Sequence, residues 1–149
     1  SGTGSIASID GFTIVPQPQS IQHYGSLLGR TSLRGVRVLL IDDDAAVLEA
    51  TAGLLKRWGC LVQYATALPA LIEPCDLLIT DYDLNAAVSG ADCIRVVRTR
   101  VSPRAKVIVI TGHDAGRVHL DLEDKTIPIV QKPIGPAELR SVMEAMKLA

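Results

Sequence analysis

Four separated pieces of this 149-residue sequence carry related chemistry: Asp42-Asp43-Asp44, Asp81, Thr111 and Lys132-Pro133. Two carboxylates about 4 Å apart repel by about 4 kcal/mol at an effective dielectric near 20. Several packed together therefore call for a divalent cation, and Mg²⁺ is the hard, oxygen-seeking ion usual beside phosphate. A carboxylate such as Asp81 can attack phosphorus and hold the phosphoryl group as an acyl phosphate. Asp42 and Asp43 can hold the metal, Lys132 can neutralise a phosphate oxygen, and the Thr111 hydroxyl can donate to another. Taken singly, Asp44 is a helix cap, Thr111 a turn residue and Lys132-Pro133 a loop. Their common position in the pattern favours one shared site.

That position is the end of a strand. Val38-Leu39-Leu40-Ile41, Leu77-Leu78-Ile79-Thr80 and Val107-Ile108-Val109-Ile110 precede the acids and Thr111, and Ile127-Pro128-Ile129-Val130-Gln131 precedes Lys132. Short, continuous, β-branched runs are what strands covered on both faces look like. Strands are expected over Val36–Ile41, Leu61–Ala65, Leu77–Thr80, Lys106–Thr111 and Ile129–Gln131. Helices are expected over Ala45–Trp58, Leu68–Ile72, Gly90–Val101, Asp114–Leu122 and Pro136–Leu148. Asp44 caps the first of these, with Val47, Ala50, Leu54 and Trp58 on one face and Gly59 as the stop. The last has Pro136 in its first turn and Leu139, Val142, Met143 and Met146 inward. Five successive βα units predict a parallel sheet with helices on both faces, whose carboxyl edge binds ligands.

The length fits one domain with a tail. Fifteen Lys and Arg against sixteen Asp and Glu give a net charge of −1. That balance leaves no polybasic footprint for nucleic acid or an anionic membrane surface. No apolar stretch is long enough to span a bilayer and no signal peptide opens the chain. Cys60, Cys75 and Cys93 lack metal-ligand spacing and read as reduced thiols of a cytoplasmic protein. Residues 1–34, rich in Gly, Ser, Thr and Gln with Pro16 and Pro18, read as a linker or tail with a short helix over Ile21–Leu28. Residues 35–149 form the domain.

Val38-Leu39-Leu40-Ile41-Asp42-Asp43-Asp44, Asp76-Leu77-Leu78-Ile79-Thr80-Asp81, Val107-Ile108-Val109-Ile110-Thr111-Gly112 and Gln131-Lys132-Pro133 together resemble the receiver domain of two-component response regulators. The resemblance runs from about Val36 to the C-terminus. It implies an α/β, flavodoxin-like (βα)5 doubly wound parallel sheet in strand order 2-1-3-4-5. By the same resemblance Asp81 is the phosphoacceptor, and Asp42, Asp43, Asp81 and the backbone carbonyl of Asp83 bind Mg²⁺. Thr111 is the switch hydroxyl, Lys132 contacts the phosphoryl group, and the peptide before Pro133 is cis. The implied partner is a phosphohistidine donor, either a histidine kinase or a phosphotransfer domain. Catalysis is limited to the chain's own phosphoryl transfer and hydrolysis, and homodimer formation is left open. Leu33-Arg34-Gly35-Val36-Arg37-Val38-Leu39 and the stretch from Lys132 to Arg140 look most like receivers of hybrid sensor histidine kinases. Gly2-Thr3-Gly4-Ser5 and Phe12-Thr13-Ile14-Val15-Pro16 are similar to the end of a kinase ATP-binding domain. No DNA-binding output is expected after the last helix.

The sequence departs from the family at Ile129, the switch position three before the lysine that is usually Tyr or Phe. The loop from Tyr82 to Gly90 lacks the usual Met-Pro and is one residue longer. Two other readings are a stand-alone response regulator and a haloacid-dehalogenase-type phosphatase with Asp81 and Asp83 as its catalytic pair. That enzyme needs an acidic pair after the lysine, where this chain has Glu138 and Glu144 inside a helix. A degenerate receiver serving only as a binding module is weighed too. A dinucleotide-binding fold lacks its glycine fingerprint here.

Overall fold

Every strand of the sheet places alternate side chains on opposite faces, and the three central strands are buried on both along nearly their whole length. The computed structural model describes residues 32–84 and 88–148; the expected helix over residues 21–28 and most of the tail lie outside them. Five strands, β1 (Arg37–Ile41), β2 (Leu61–Ala65), β3 (Leu77–Asp81), β4 (Lys106–Thr111) and β5 (Ile129–Gln131), form one parallel sheet in order β2-β1-β3-β4-β5. Four helices accompany them: α1 (Ala45–Arg57), α2 (Gly90–Arg100), α3 (Ala115–Asp121) and α4 (Pro136–Ala145). This is the flavodoxin-like order expected from the sequence.

On one face Val38, Leu40, Leu77, Ile79, Ile108, Ile110 and Val130 meet Leu48, Ala52 and Leu55 of α1 and Leu139 and Met143 of α4. On the other face Leu39, Ile41, Leu78, Val107 and Val109 meet Cys93, Ile94 and Val97 of α2 and Val118 of α3. The period-two alternation of a strand produces this division directly. Leu33 is buried in the first cluster, and its carbonyl accepts from the Cys60 thiol at 3.6 Å.

Two expectations are corrected. No helix forms over Leu68–Ile72; the connection from β2 to β3 runs through bends. Pro69 and Pro74 lack backbone donors in this short stretch, and Gln63 of β2 supplies the partners a helical turn would have given. Its amide donates to the Leu71 carbonyl at 2.9 Å and accepts from the Glu73 N–H at 3.0 Å. The (βα)5 pattern therefore lacks its second helix. In α1 the buried residues are Leu48, Thr51, Ala52 and Leu55, whereas Ala50 is exposed and Leu54 and Trp58 are only partly covered. The stripe through Val47 and Ala50 was the wrong one, because α1 is apolar over more of its surface than it buries.

The helix starts are set by local chemistry. Asp44 accepts from the N–H groups of Ala46 and Val47, and Ser89 and Asp92 form a reciprocal capping box at α2. Gly90, the first residue of α2, sits so close to β3 that a Cβ there would lie 2.4 Å from the Asp81 carbonyl oxygen and 2.9 Å from Tyr82 Cα. Backbone cannot yield as a side-chain tip can. Gly53, within α1, has nothing within 4 Å of such a Cβ. Gly90→Ala is therefore expected to destabilise by about 1–3 kcal/mol, and Gly53→Ala to stabilise by about 0.5–1 kcal/mol. Urea denaturation of the two variants checks this opposition in sign; equal shifts would contradict the packing described.

Candidate phosphoryl and cation site

Asp42, Asp81 and Lys132 continue the parity of Leu40, Ile79 and Val130, so the alternation carries all three toward the same side of the sheet's carboxyl edge. Their distances agree. Lys132 Nζ donates to Asp81 Oδ2 at 3.0 Å and to Asp42 Oδ1 at 3.3 Å, and lies 3.1 Å from Asp42 Oδ2. Asp42 and Asp81 are 1% and 4% exposed, a depth at which unpaired carboxylates are costly. The lysine is fixed from below: its N–H donates to the Thr111 carbonyl at 2.8 Å, and its peptide with Pro133 is cis.

The remaining carboxylate oxygens are only partly satisfied. Asp42 Oδ1 also accepts the Asp44 N–H at 2.9 Å, and Asp81 Oδ1 accepts the Asp83 N–H at 3.3 Å. Asp42 Oδ2, although buried, receives no directed hydrogen bond, so its contact with Lys132 is Coulombic alone. Oxygens of Asp42, Asp43 and Asp81 fall within 4.8 Å of one another, close enough to share one ion. Three carboxylate oxygens this close together suit a single hard divalent cation. The donor set and the orphaned oxygen both fit such an ion.

Burial is the largest influence on Asp81 and raises its pKa from 3.8 to about 6; the Asp42 charge adds to the rise, and Lys132 opposes it. Burial works against the charge on Lys132 as well, but hydrogen bonds to Asp81 and Asp42 outweigh it and the lysine pKa is raised. Lys132 is thus held as an ammonium beside a carboxylate that desolvation makes reluctant to ionise.

The other candidate residues occupy the rim. Thr111 is fully buried at the end of β4, where Asp81 pairs in register with Ile110, but its hydroxyl accepts the His113 N–H at 2.9 Å. The Asp83 side chain points away from the acid cluster and pairs with His113 Nε2 at 2.9 Å. Ile129 begins β5 and packs against the second apolar cluster, a partly buried aliphatic chain with no polar reach. Glu144, after the lysine, is paired with Arg140 at 2.9 Å within α4, so the acid beside Lys132 is the upstream Asp42. Sequence reasoning missed His113, Gly90 and Tyr82. Only Ser89-Gly90-Ala91-Asp92, a capping-box pattern, carried a readable signal among the loop residues.

A doubly wound sheet with an acid cluster, lysine and buried threonine at its carboxyl edge defines a receiver-type signalling domain. The chain belongs to the response regulator receiver domain family, whose sequence profile matches residues 38–144. It is 29% identical over 116 residues to the alginate biosynthesis transcriptional regulatory protein AlgB of Pseudomonas aeruginosa, covering 74% of this chain and 25% of that protein. The chain thus spans about a quarter of the length of that relative. Among solved structures, a receiver protein from Sinorhizobium medicae is similar with a TM-score of 0.63 and 26% identity, over 78% of this chain and 97% of that one. A receiver domain protein from Clostridium thermocellum has a TM-score of 0.63 and 24% identity, over 75% and 94%. The BeF3-activated DrrB receiver domain shares the fold at a TM-score of 0.64 and 22% identity, over 74% and 96%. This chain is accordingly a receiver domain of two-component signalling.

Because the folded pKa of Asp81 is raised, the folded state binds this proton more tightly than the unfolded chain does. The resulting destabilisation is complete above about pH 7 and is relieved as pH falls through about 6 toward 4. A shift of about two pKa units corresponds to roughly 2–3 kcal/mol. Without divalent cation, Asp81 should therefore favour stability at pH 5 over pH 8, and Asp81→Asn should remove that contribution. Denaturation of both proteins in chelator at the two pH values tests it; an identical pH dependence would contradict the assignment.

Proposed function

We propose that this receiver accepts a phosphoryl group on Asp81 in a Mg²⁺-dependent reaction and changes conformation in response. The observation carrying this reading is the buried contact of one ammonium, Lys132, with both Asp81 and Asp42, beside an Asp43 oxygen within 4.8 Å of theirs. Asp42 and Asp43 would hold Mg²⁺ with Asp81, and the backbone carbonyl of Asp83 completes the set by family resemblance. Mg²⁺ there supplies charge neutralisation to an incoming phosphate.

The chain's own groups do the rest. An Asp81 carboxylate oxygen forms a bond to phosphorus as the bond from phosphorus to the donor's imidazole nitrogen breaks. Lys132 transfers part of its hydrogen bonding from the carboxylates to a phosphoryl oxygen. The Thr111 hydroxyl, whose oxygen accepts the His113 N–H, has its own proton to donate to another. The new dianionic group alters the balance of contacts around β4 and β5, which is the usual origin of such switching. The donor is a phosphohistidine, on a histidine kinase or a phosphotransfer domain, and the setting is cytoplasmic. Among the described residues no helix is long and apolar enough to cross a membrane.

The stretches from Leu33 to Leu39 and from Lys132 to Arg140 support a hybrid histidine kinase as the parent protein, with residues 1–34 as linker and 35–149 as receiver. The relation to AlgB, a transcriptional regulatory protein, favours a second reading in which the receiver controls an output domain.

Intact mass after incubation with Mg²⁺ and acetyl phosphate tests the reading. One phosphoryl adduct is expected on the parent protein, none on Asp81→Asn and none in chelator. Undiminished labelling of Asp81→Asn would place the acceptor elsewhere. Lys132→Ala should still bind Mg²⁺ but react about ten- to a hundredfold more slowly, the size of one charge-assisted hydrogen bond; an unchanged rate would remove the lysine from the mechanism.

A further inference from the structure

Tyr82 follows the acceptor carboxylate directly and touches three other elements. Its N–H donates to the Ile110 carbonyl of β4 at 2.8 Å, and its carbonyl accepts from the Gly90 N–H of α2 at 3.1 Å. Its ring packs on the second apolar cluster, of which it is the one aromatic side chain among the described residues, and lines a cavity with Val118 of α3. Its hydroxyl donates to Asp121 Oδ2, on the last residue of α3, at 3.2 Å. β5 offers this cluster only the aliphatic Ile129. A cavity of about 410 Å³ lined by Asp83, His113, Arg117 and Asp121 adjoins the ring and leaves it room to swing.

One peptide plane joins this side chain to the acceptor. Its N–H is that of Asp83, which donates to Asp81 Oδ1 at 3.3 Å, and its C=O is that of Tyr82, held by Gly90. A substituent on Asp81 changes what that N–H bonds to and tilts the plane. A tilt of that plane is taken up at φ and ψ of Tyr82, and the change in φ redirects its Cα–Cβ bond while β4 holds its N–H in place.

We propose that Tyr82 is a positioning residue that couples occupancy of Asp81 to the placement of α3, with its hydrogen bond to Asp121 made in the unmodified state and broken in the modified one. The inference rests on Asp81 being the acceptor and adds the route by which its occupancy reaches a helix. The coupling is reciprocal, so removing the hydrogen bond must ease modification. One hydrogen bond of this kind corresponds to about a two- to tenfold effect.

The test is NMR titration of the full chain with beryllofluoride in Mg²⁺, for the parent protein, Tyr82→Phe and Asp121→Ala. Tyr82→Phe keeps the ring and its packing, and Asp121→Ala leaves the loop untouched. Beryllofluoride should shift the amide resonances of residues 115–121 in the parent. Both variants should show part of that shift before any ligand is added, and should bind beryllofluoride about two- to tenfold more tightly. Loss of packing alone would weaken binding, so the direction separates the two roles. The inference is overturned if saturating beryllofluoride leaves α3 unmoved in the parent, or if the variants bind with equal or lower affinity. Absence of any beryllofluoride response at Asp81 overturns the acceptor reading as well, and is seen before α3 is considered.

Discussion

One ammonium held against two buried carboxylates is the constraint on which the rest of this molecule depends. Lys132 reaches both Asp81 and Asp42 within about hydrogen-bonding distance, yet the two acids are almost wholly withdrawn from water. Removing charge from solvent is costly even when it is paired. Asp43 brings a third carboxylate oxygen within 4.8 Å of those of Asp42 and Asp81. The raised pKa of Asp81 expresses that cost. A group stabilised only when a cation and an anionic ligand arrive is suited to report their arrival.

The sheet makes this costly cluster tolerable. Its three central strands are buried along nearly their whole length, and the two apolar clusters pack β1, β3 and β4 from either side. The site then needs only the alternation of the strands to aim Asp42, Asp81 and Lys132 together. Gly90 adds a close approach that seats α2 directly on the Asp81–Tyr82 backbone. Above this frame the rim is lighter: exposed Asp83 and His113 pair across the mouth, and Tyr82 reaches Asp121. Rigid strands below and single side-chain links above are a suitable division for a switch, since only the links need to change.

Much of this was legible in the residues. The apolar runs ending in Asp42, Asp81 and Thr111 marked β1, β3 and β4, and Asp44 marked the start of α1, because strand burial and helix capping are local effects. No helix forms over Leu68–Ile72, where the Gln63 side chain, eight to ten residues earlier, bonds the Leu71 carbonyl and the Glu73 N–H, a pairing no local pattern announces. The buried stripe of α1 was misjudged because Leu48, Leu54, Leu55 and Trp58 surround more of the helix than one face needs. The bond from the His113 N–H to the Thr111 oxygen depends on a turn that no residue pattern announces. Contacts such as Asp83–His113 and Tyr82–Asp121 join loops brought near only by the sheet order, so no spacing rule could reveal them.

The most direct test of the central claim is an anomalous-difference map from crystals of the chain soaked in Mn²⁺, which takes the same oxygen ligands as Mg²⁺. A single strong peak bounded by the carboxylates of Asp42, Asp43 and Asp81, with Asp42 Oδ2 now ligated, is the result this account predicts. A peak elsewhere, or none at those three residues when the ion is saturating, would contradict it.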